Sequence, residues 1–381
     1  MIKNNLQSML EDGFSEKFAR FYLNILEEEK NNSAYDSQFV KWAHSKGFRA
    51  EVAALYDIND INYMNFLSDY DYYRIWPINN WTRIWINDKL TLKYMLDGTE
   101  YSGIMPKYYY YTSMDGLRTL VDNPYKNDIA DTEQFIKVLS EVGEFACKPC
   151  NGSTSVGFFK MVYQNNKIFV DDKELPFNEV SDFLNKNQNY VFTEYIKAGG
   201  CLKKITPQIH TLRIVTINED GANPIIVGGY LRIPNDLSVS ANFLDLGDNV
   251  EKYNIVTNIN IETGEFFDAQ KVYVNRKEKI DVHPSSGALL SGKIENFDKL
   301  RQIILEIARR FNNVEYMGFD IGVTENGFKC MEINSHPGIG HMQMFEPFYE
   351  NTYLKKYFQK KINEINNLSL VGKKKRNGIL R

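Results

Sequence analysis

Near its C-terminal end the chain runs Cys330-Met331-Glu332-Ile333-Asn334-Ser335-His336-Pro337-Gly338, which sets a carboxylate and an amide two residues apart at the close of an apolar stretch and then breaks. Residues i and i+2 of a strand share a face, so Glu332 and Asn334 project together while Met331 and Ile333 point the other way. Upstream, across the turn Glu325-Asn326-Gly327, Asp320 lies on the strand that must pair with this one if the turn closes a hairpin. Two carboxylates and an amide oxygen on one surface, with no sulfur or imidazole required, form a hard donor set. Such a set suits Mg²⁺ and leaves positions for water and phosphate oxygens. The polar outer face of an amphipathic hairpin would carry the same pattern.

A second stretch able to do chemistry is Lys148-Pro149-Cys150-Asn151-Gly152-Ser153-Thr154-Ser155-Val156-Gly157. Lys148 stands at a strand end, and Gly152, Ser153, Thr154, Ser155 and Gly157 offer amides and hydroxyls that can approach a polyphosphate closely. The spacing is neither that of a dinucleotide-binding turn nor that of a P-loop, and a flexible surface hairpin is the plainer alternative. Cys147 and Cys150 make a C-x-x-C, open to reading as a redox pair or half of a zinc site, although no second pair exists to complete a tetrahedral set. The four cysteines, Cys147, Cys150, Cys201 and Cys330, are too few and too scattered for a disulfide framework.

These residues need elements to hold them. Phe14, Phe18, Phe21, Tyr22, Ile25 and Leu26 recur at helical spacing, Asn31-Asn32-Ser33 interrupts them, and Phe39, Trp42 and Ala43 resume the period. The region 1–78 therefore reads as a helical cap. Asp88 opens a further helix that Gly98 stops. Beyond 99 the texture turns to short strands at 144–149, 168–170, 189–196, 209–218 and 222–233, with helices at 177–186 and 297–313 and two closing strands joined by the Glu325-Asn326-Gly327 turn. The fold class is α+β, with mostly antiparallel sheets and helices against one face. The aromatic run 107–113 reads as a packing surface. Residues 367–381 read as a basic, solvated tail.

Composition narrows the function classes. Lys plus Arg number 45 against 49 Asp plus Glu, and a formal charge of −4 provides no basic field for nucleic acid. No apolar run approaches the roughly 20 residues of a membrane span, and the first residues lack the apolar core of a signal peptide, so a cytoplasmic protein is expected.

Taken in order, Asn87-Asp88-Lys89, KPCNGSTSVG, FTEYI, HTLRIVT and GFDIGVTENGFKCMEINSHPG resemble the ATP-grasp superfamily, and the first, second and last of these resemble D-alanyl-D-alanine ligase. The middle segment, with Asn242-Phe243-Leu244, INIETGEFFDA and HPSSGALLSGKI, is similar to the sugar-transfer-associated ATP-grasp branch. The resemblance covers roughly 79–365. It implies an ATP-grasp fold, two α+β subdomains gripping ATP between antiparallel sheets, with a lid subdomain over 79–200 and a metal-bearing subdomain over 201–366. Lys89 and Lys148 match the phosphate-holding lysines, and Gly152 to Gly157 the loop that closes over them. Glu194, Tyr195 and Ile196 match the adenine-reading hinge. Asp320, Glu332 and Asn334 match the ligands of two Mg²⁺ ions, with Mn²⁺ as a substitute, and Glu332 bridges the pair.

Arg213 is the candidate for steadying the transferred phosphoryl group, with Arg232 as its alternate. Ser335, His336 and Gly338 mark the acceptor's entry, and His283 is a further substrate candidate. Two departures stand out: no acid follows the hinge to take the ribose hydroxyls, and Gly318 occupies the place of a ligase arginine. The implied activity is an ATP-dependent carboxylate-amine ligase working through an acyl phosphate in capsule or other surface-polysaccharide synthesis. Its partners are a small-molecule or sugar carboxylate and an amine, and a homodimer is compatible with it. A phosphotransferase acting on a sugar or polyol and a non-catalytic nucleotide-binding scaffold are the alternatives.

Overall fold

The computed structural model describes residues 4–151, 156–235 and 244–378, with side chains through Arg376. Gly152, Ser153, Thr154 and Ser155 lie outside the described residues, as do Asn242 and Phe243. Two antiparallel sheets dominate. The first contains β1 (Tyr108–Ser113), β2 (Gly116–Thr119), β3 (Glu144–Pro149), β4 (Phe159–Gln164), β5 (Lys167–Val170), β6 (Lys173–Leu175) and β7 (Tyr190–Glu194). Their order is β2-β1-β7-β3-β4-β5-β6. The second contains β8 (Thr211–Ile217), β9 (Ile225–Ile233), β10 (Asn254–Ile259), β11 (Glu265–Val272), β12 (Lys277–Lys279), β13 (Gly292–Lys293), β14 (Tyr316–Thr324) and β15 (Gly327–Asn334). Their order is β12-β11-β10-β9-β8-β14-β15, with β13 paired to β11.

Helix Phe297–Arg310 forms because Phe297, Leu300, Ile304 and Ile307 recur every three or four residues. That stripe is buried against Leu212, Ile214, Phe319, Ile321 and Ile333, one face of the second sheet. Alternation then sends the intervening residues to the other face, where Val215, Ile217 and Tyr230 pack with Phe48, Val52, Leu55 and Tyr72 of the N-terminal helices. The cap thus covers part of the face that carries Arg213, one strand residue from Leu212 and Ile214. Helix Lys89–Leu96 begins where expected, with the Asp88 carboxylate capping the Thr91 amide at 2.7 Å.

The first sheet packs Phe145, Cys147, Phe159 and Phe192 against helix Thr132–Val142, which the sequence had not disclosed. Cys147 belongs to this core, whereas Cys150 joins the core of the second sheet and donates its thiol to Asp88 at 3.3 Å. Facing apart, the two sulfurs form neither a redox pair nor half a zinc site.

Residues Leu370–Gly378 form a helix that stays largely exposed, and Arg376 donates to the carbonyls of Gly13 and Trp76, each at 2.5 Å. Two buried carbonyls without partners would be costly, and the guanidinium satisfies both.

The crossover from β7 to β8 passes under the β14–β15 turn. The Gly199 amide donates to the Val323 carbonyl at 3.0 Å, and a Cβ on Gly199 would stand 1.9 Å from the Glu325 nitrogen. A Gly199→Ala substitution must push backbone apart, so the midpoint of thermal unfolding should fall by several degrees, measured by circular dichroism.

Candidate active site

Near the turn the pairing is the one the turn dictates, from Thr324 opposite Gly327 to Ile321 opposite Cys330; continued unbroken it would set Asp320 opposite Met331, and a bulge shifts it by one residue. Asp320 stands directly opposite Glu332, and Gly318 opposite Asn334, with a bulge between Asp320 and Ile321. On its other side Asp320 faces Arg213 of β8. The structure therefore brings Asp320, Glu332 and Asn334 together, and the Asn334 amide nitrogen donates to Glu332 at 3.1 Å.

Asp320 is buried and already taken up. It accepts from Arg213 Nε, from Arg213 Nη2 at 3.0 Å and from Arg232 Nη2 at 3.1 Å. Burial alone would raise its pKa, but the two guanidinium charges outweigh that and hold the carboxyl below its ordinary value. Both candidate arginines thus converge on a single acid.

Lys89, the first residue of its helix, is buried and reaches to 3.7 Å from Glu332 Oε2. Lys148 comes from β3 of the other sheet. Burial, then the neighbouring Lys89 charge, push the Lys148 ammonium down to about 8, with Glu332 pulling partly back. Two lysines and a glutamate from opposite walls share one space, and an ammonium easily deprotonated there is a sign of cations waiting for an anion.

Of the loop glycines, Gly157 has a left-handed φ of 80° and a Cβ there would lie 2.6 Å from the Tyr190 hydroxyl. At the hinge, Glu194 accepts from the Lys107 amide at 3.1 Å, and its own amide donates to Lys107 at 2.8 Å. The Lys160 ammonium lies 4.3 Å over the Tyr195 ring, and Ile196 is buried against Gly322.

The remaining candidates sit differently from a row of acceptor contacts. Ser335 is buried, and it exchanges bonds with the Asn87 side chain at 2.9 and 3.0 Å. Its carbonyl accepts from Asn79 at 3.2 Å. The His336 ring stacks on Tyr72 at 4.0 Å and meets Phe18 edge-on at 5.6 Å. Burial lowers its pKa to about 3, so it is neutral. His283 closes its own turn, with Nε2 2.9 Å from the Pro234 carbonyl and Nδ1 accepting from Ser285 and Ser286 at 3.4 Å. Gly338 alone of this set is exposed.

The sequence reading passed over His341 and Arg49. His341 sits 5.2 Å from the Tyr230 ring, and its pKa is pushed down to about 3 by burial first and then by the Arg232, Arg213 and Arg49 charges. Arg49 reaches this neighbourhood from the N-terminal cap, paired with Asp69 at 3.3 Å. No spacing in the chain joins position 49 to 341.

Glu332 and Asn334 offer oxygens of the kind Mg²⁺ takes, and the Asp320 carboxylate opposite would complete the set by exchanging a guanidinium. Among the described residues no group of three His, Cys, Asp or Glu side chains could hold a metal ion, so phosphate and water oxygens would fill the remaining positions.

Two outcomes follow from the electrostatics. Asp320→Ala leaves two buried guanidinium groups without their acid and should cost about 3–5 kcal/mol of stability, read by denaturant unfolding. On the expectation that Lys148 holds the polyphosphate as an ammonium, ATP affinity should fall above a pH of about 8, by up to about tenfold per pH unit, with proton uptake seen by calorimetry in two buffers.

Comparison with known proteins agrees with this geometry. The family model described as sugar-transfer associated ATP-grasp matches residues 105–348. No curated protein matches the sequence. Among solved structures, D-alanyl-alanine synthetase A from Vibrio cholerae O1 biovar eltor is 13% identical, with 74% of this chain and 66% of that one covered and a TM-score of 0.41. Biotin carboxylase from Campylobacter jejuni is 11% identical, with 75% and 47% covered and a TM-score of 0.39. L-amino acid ligase from Bacillus licheniformis is 11% identical, with 72% and 48% covered and a TM-score of 0.36. The chain thus spans less than two thirds of the length of each. With 105–348 matched and two antiparallel sheets facing one lysine-lined cleft, the chain belongs to the sugar-transfer associated ATP-grasp family and has the ATP-grasp fold.

Proposed function

We propose that this protein is an ATP-dependent carboxylate-amine ligase that forms an amide through an acyl phosphate, in capsule or other surface-polysaccharide synthesis. The observation that carries the reading is the meeting of Lys89, Lys148 and Glu332 from both walls of the cleft.

A carboxylate and an amine do not condense in water, so the carboxylate must first be activated by the γ-phosphoryl group of ATP. Lys89 and Lys148 bind the polyphosphate and offset its charge. Arg213 and Arg232 present guanidinium groups toward the reacting oxygens, where negative charge grows during phosphoryl transfer and again when the amine adds. Glu332 and Asn334, with Asp320, would hold Mg²⁺, which when bound supplies charge neutralisation at the phosphate oxygens. The N-terminal cap, packed over part of the face that carries Arg213, excludes water from the acyl phosphate. Glu194, Tyr195 and Ile196 take the adenine edge. The printed description of the family, sugar-transfer associated, supports a glycan setting.

The test is product analysis. Incubation with ATP, Mg²⁺ and a panel of sugar acids and amines should release ADP and inorganic phosphate only when both substrates are present. ADP with a phosphorylated acceptor would identify a kinase instead, and nucleotide binding without turnover a scaffold. Glu332→Gln should abolish Mg²⁺-dependent ADP release while unfolding at the wild-type temperature; an active variant would remove the assignment.

A further inference from the structure

Outside the cleft, a run of rings leads from the site to the surface of the N-terminal region. The His336 ring meets Phe18 at 5.6 Å, and Phe18 stacks on Trp76 at 4.6 Å. The Arg83 guanidinium carbon then lies 5.4 Å from the Trp76 ring and 5.5 Å from the Trp81 ring, between the two indoles. Trp81 is 53% exposed and its neighbour Ile84 50% exposed. Large apolar side chains shown to solvent side by side are a mark of binding.

Residues 79–87 are fixed to the metal hairpin. Asn79 donates to the carbonyls of Tyr316 and Ser335 at 2.5 and 3.2 Å, Thr82 donates to the Asn313 carbonyl at 2.7 Å, and Asn87 binds Ser335. Trp81 and Arg83 are therefore held at the end of the hairpin that bears Glu332 and Asn334.

Arg83 is the unusual member. It is partly buried, yet among the described residues it has no carboxylate partner, and of its five N–H donors one finds an acceptor, the Asn80 carbonyl at 2.5 Å. Burial alone moves its pKa, downward, with no neighbouring charge contributing. None of its nitrogens is buried without a partner, so the donors left over by Asn80 are open to an incoming anion.

We propose that Trp81 and Arg83 form a binding platform for a glycosyl unit that carries a carboxylate or phosphate, a remote part of the glycan substrate and not the carboxylate that is activated. The saturated ring lies with its C–H face on Trp81, and its anion pairs with Arg83 in a fork. A bare inorganic anion uses only Arg83, and a neutral sugar only Trp81. The proposal rests on the ligase reading for the identity of the substrate, but the platform lies outside residues 105–348, the segment that the family shares.

The experiment is a binding titration on the full chain without ATP, by tryptophan fluorescence and saturation-transfer NMR, with D-glucuronate, D-glucose 1-phosphate, D-glucose and inorganic phosphate as probes. The two glycosyl anions should bind at least tenfold more tightly than glucose or phosphate, and whichever of them binds better identifies the anion. Trp81→Ala and Arg83→Gln, each checked for folding by circular dichroism, should each weaken that binding at least tenfold. Equal affinity for glucose, equal affinity for phosphate, or wild-type binding by both variants would overturn the platform. So would binding of phosphatidylglycerol vesicles, lost in Trp81→Ala, in place of the sugars. Platform binding with no amine-dependent ADP release would support the platform and sink the ligase reading. ADP release with no effect of either variant on sugar binding would do the reverse.

Discussion

One carboxylate shared by two guanidinium groups organises the second sheet. Asp320 sits between Arg213 on the adjacent strand and Arg232 on the strand beyond, in a place with almost no solvent. A slip of one residue between β8 and β14 would turn Arg213 into the apolar core under helix Phe297–Arg310 and leave Asp320 buried without a partner. Neither outcome is affordable in a dry interior, so the ion cluster and the hydrophobic alternation specify the same register. One acid among two arginines also leaves an excess positive charge, and that excess lies on the face that the cleft uses.

The cleft repeats the logic with lysines, one from each wall. Burial first, and then the repulsion of Lys89, lower the Lys148 ammonium to about 8, and Glu332 offsets only part of that. A site held together by its own complementary charges would gain little from a polyanion. This one is short of negative charge, a setting that favours a bound anion.

Much of this was legible before any coordinates. The Glu-Asn-Gly turn and the period-two spacing of Glu332 and Asn334 pointed to a hairpin bringing them onto one surface with Asp320, but the bulge that sets Asp320 opposite Glu332 instead of Met331 has no signal in the spacing. Helix Phe297–Arg310 announced itself by its apolar period. What stayed hidden depended on residues far apart in the chain. Ser335 and His336 directly follow the strand that carries Glu332 and Asn334 and look like acceptor contacts; only the folded chain reveals that Asn87 and Asn79 occupy the serine while Tyr72 and Phe18 enclose the histidine. The pairing of both arginines with Asp320, the approach of Arg49 to His341 and the docking of Arg376 on Trp76 share that origin. Helix Thr132–Val142 is of another kind, since its Asp131 cap and Gly143 stop are local signals in the sequence.

Gly199 gives the two walls a mechanical relationship. The crossover between the sheets touches the β14–β15 turn backbone to backbone, with no side chain to act as a cushion. A contact that tight behaves as a pin. If the first sheet rocks about it, points near the pin, such as Ile196 beside Gly322, hardly move, while the lysine end at the far side of the sheet sweeps through a wider arc. The absence of one methyl group is what lets the crossover close on the second sheet to a direct backbone hydrogen bond at this point.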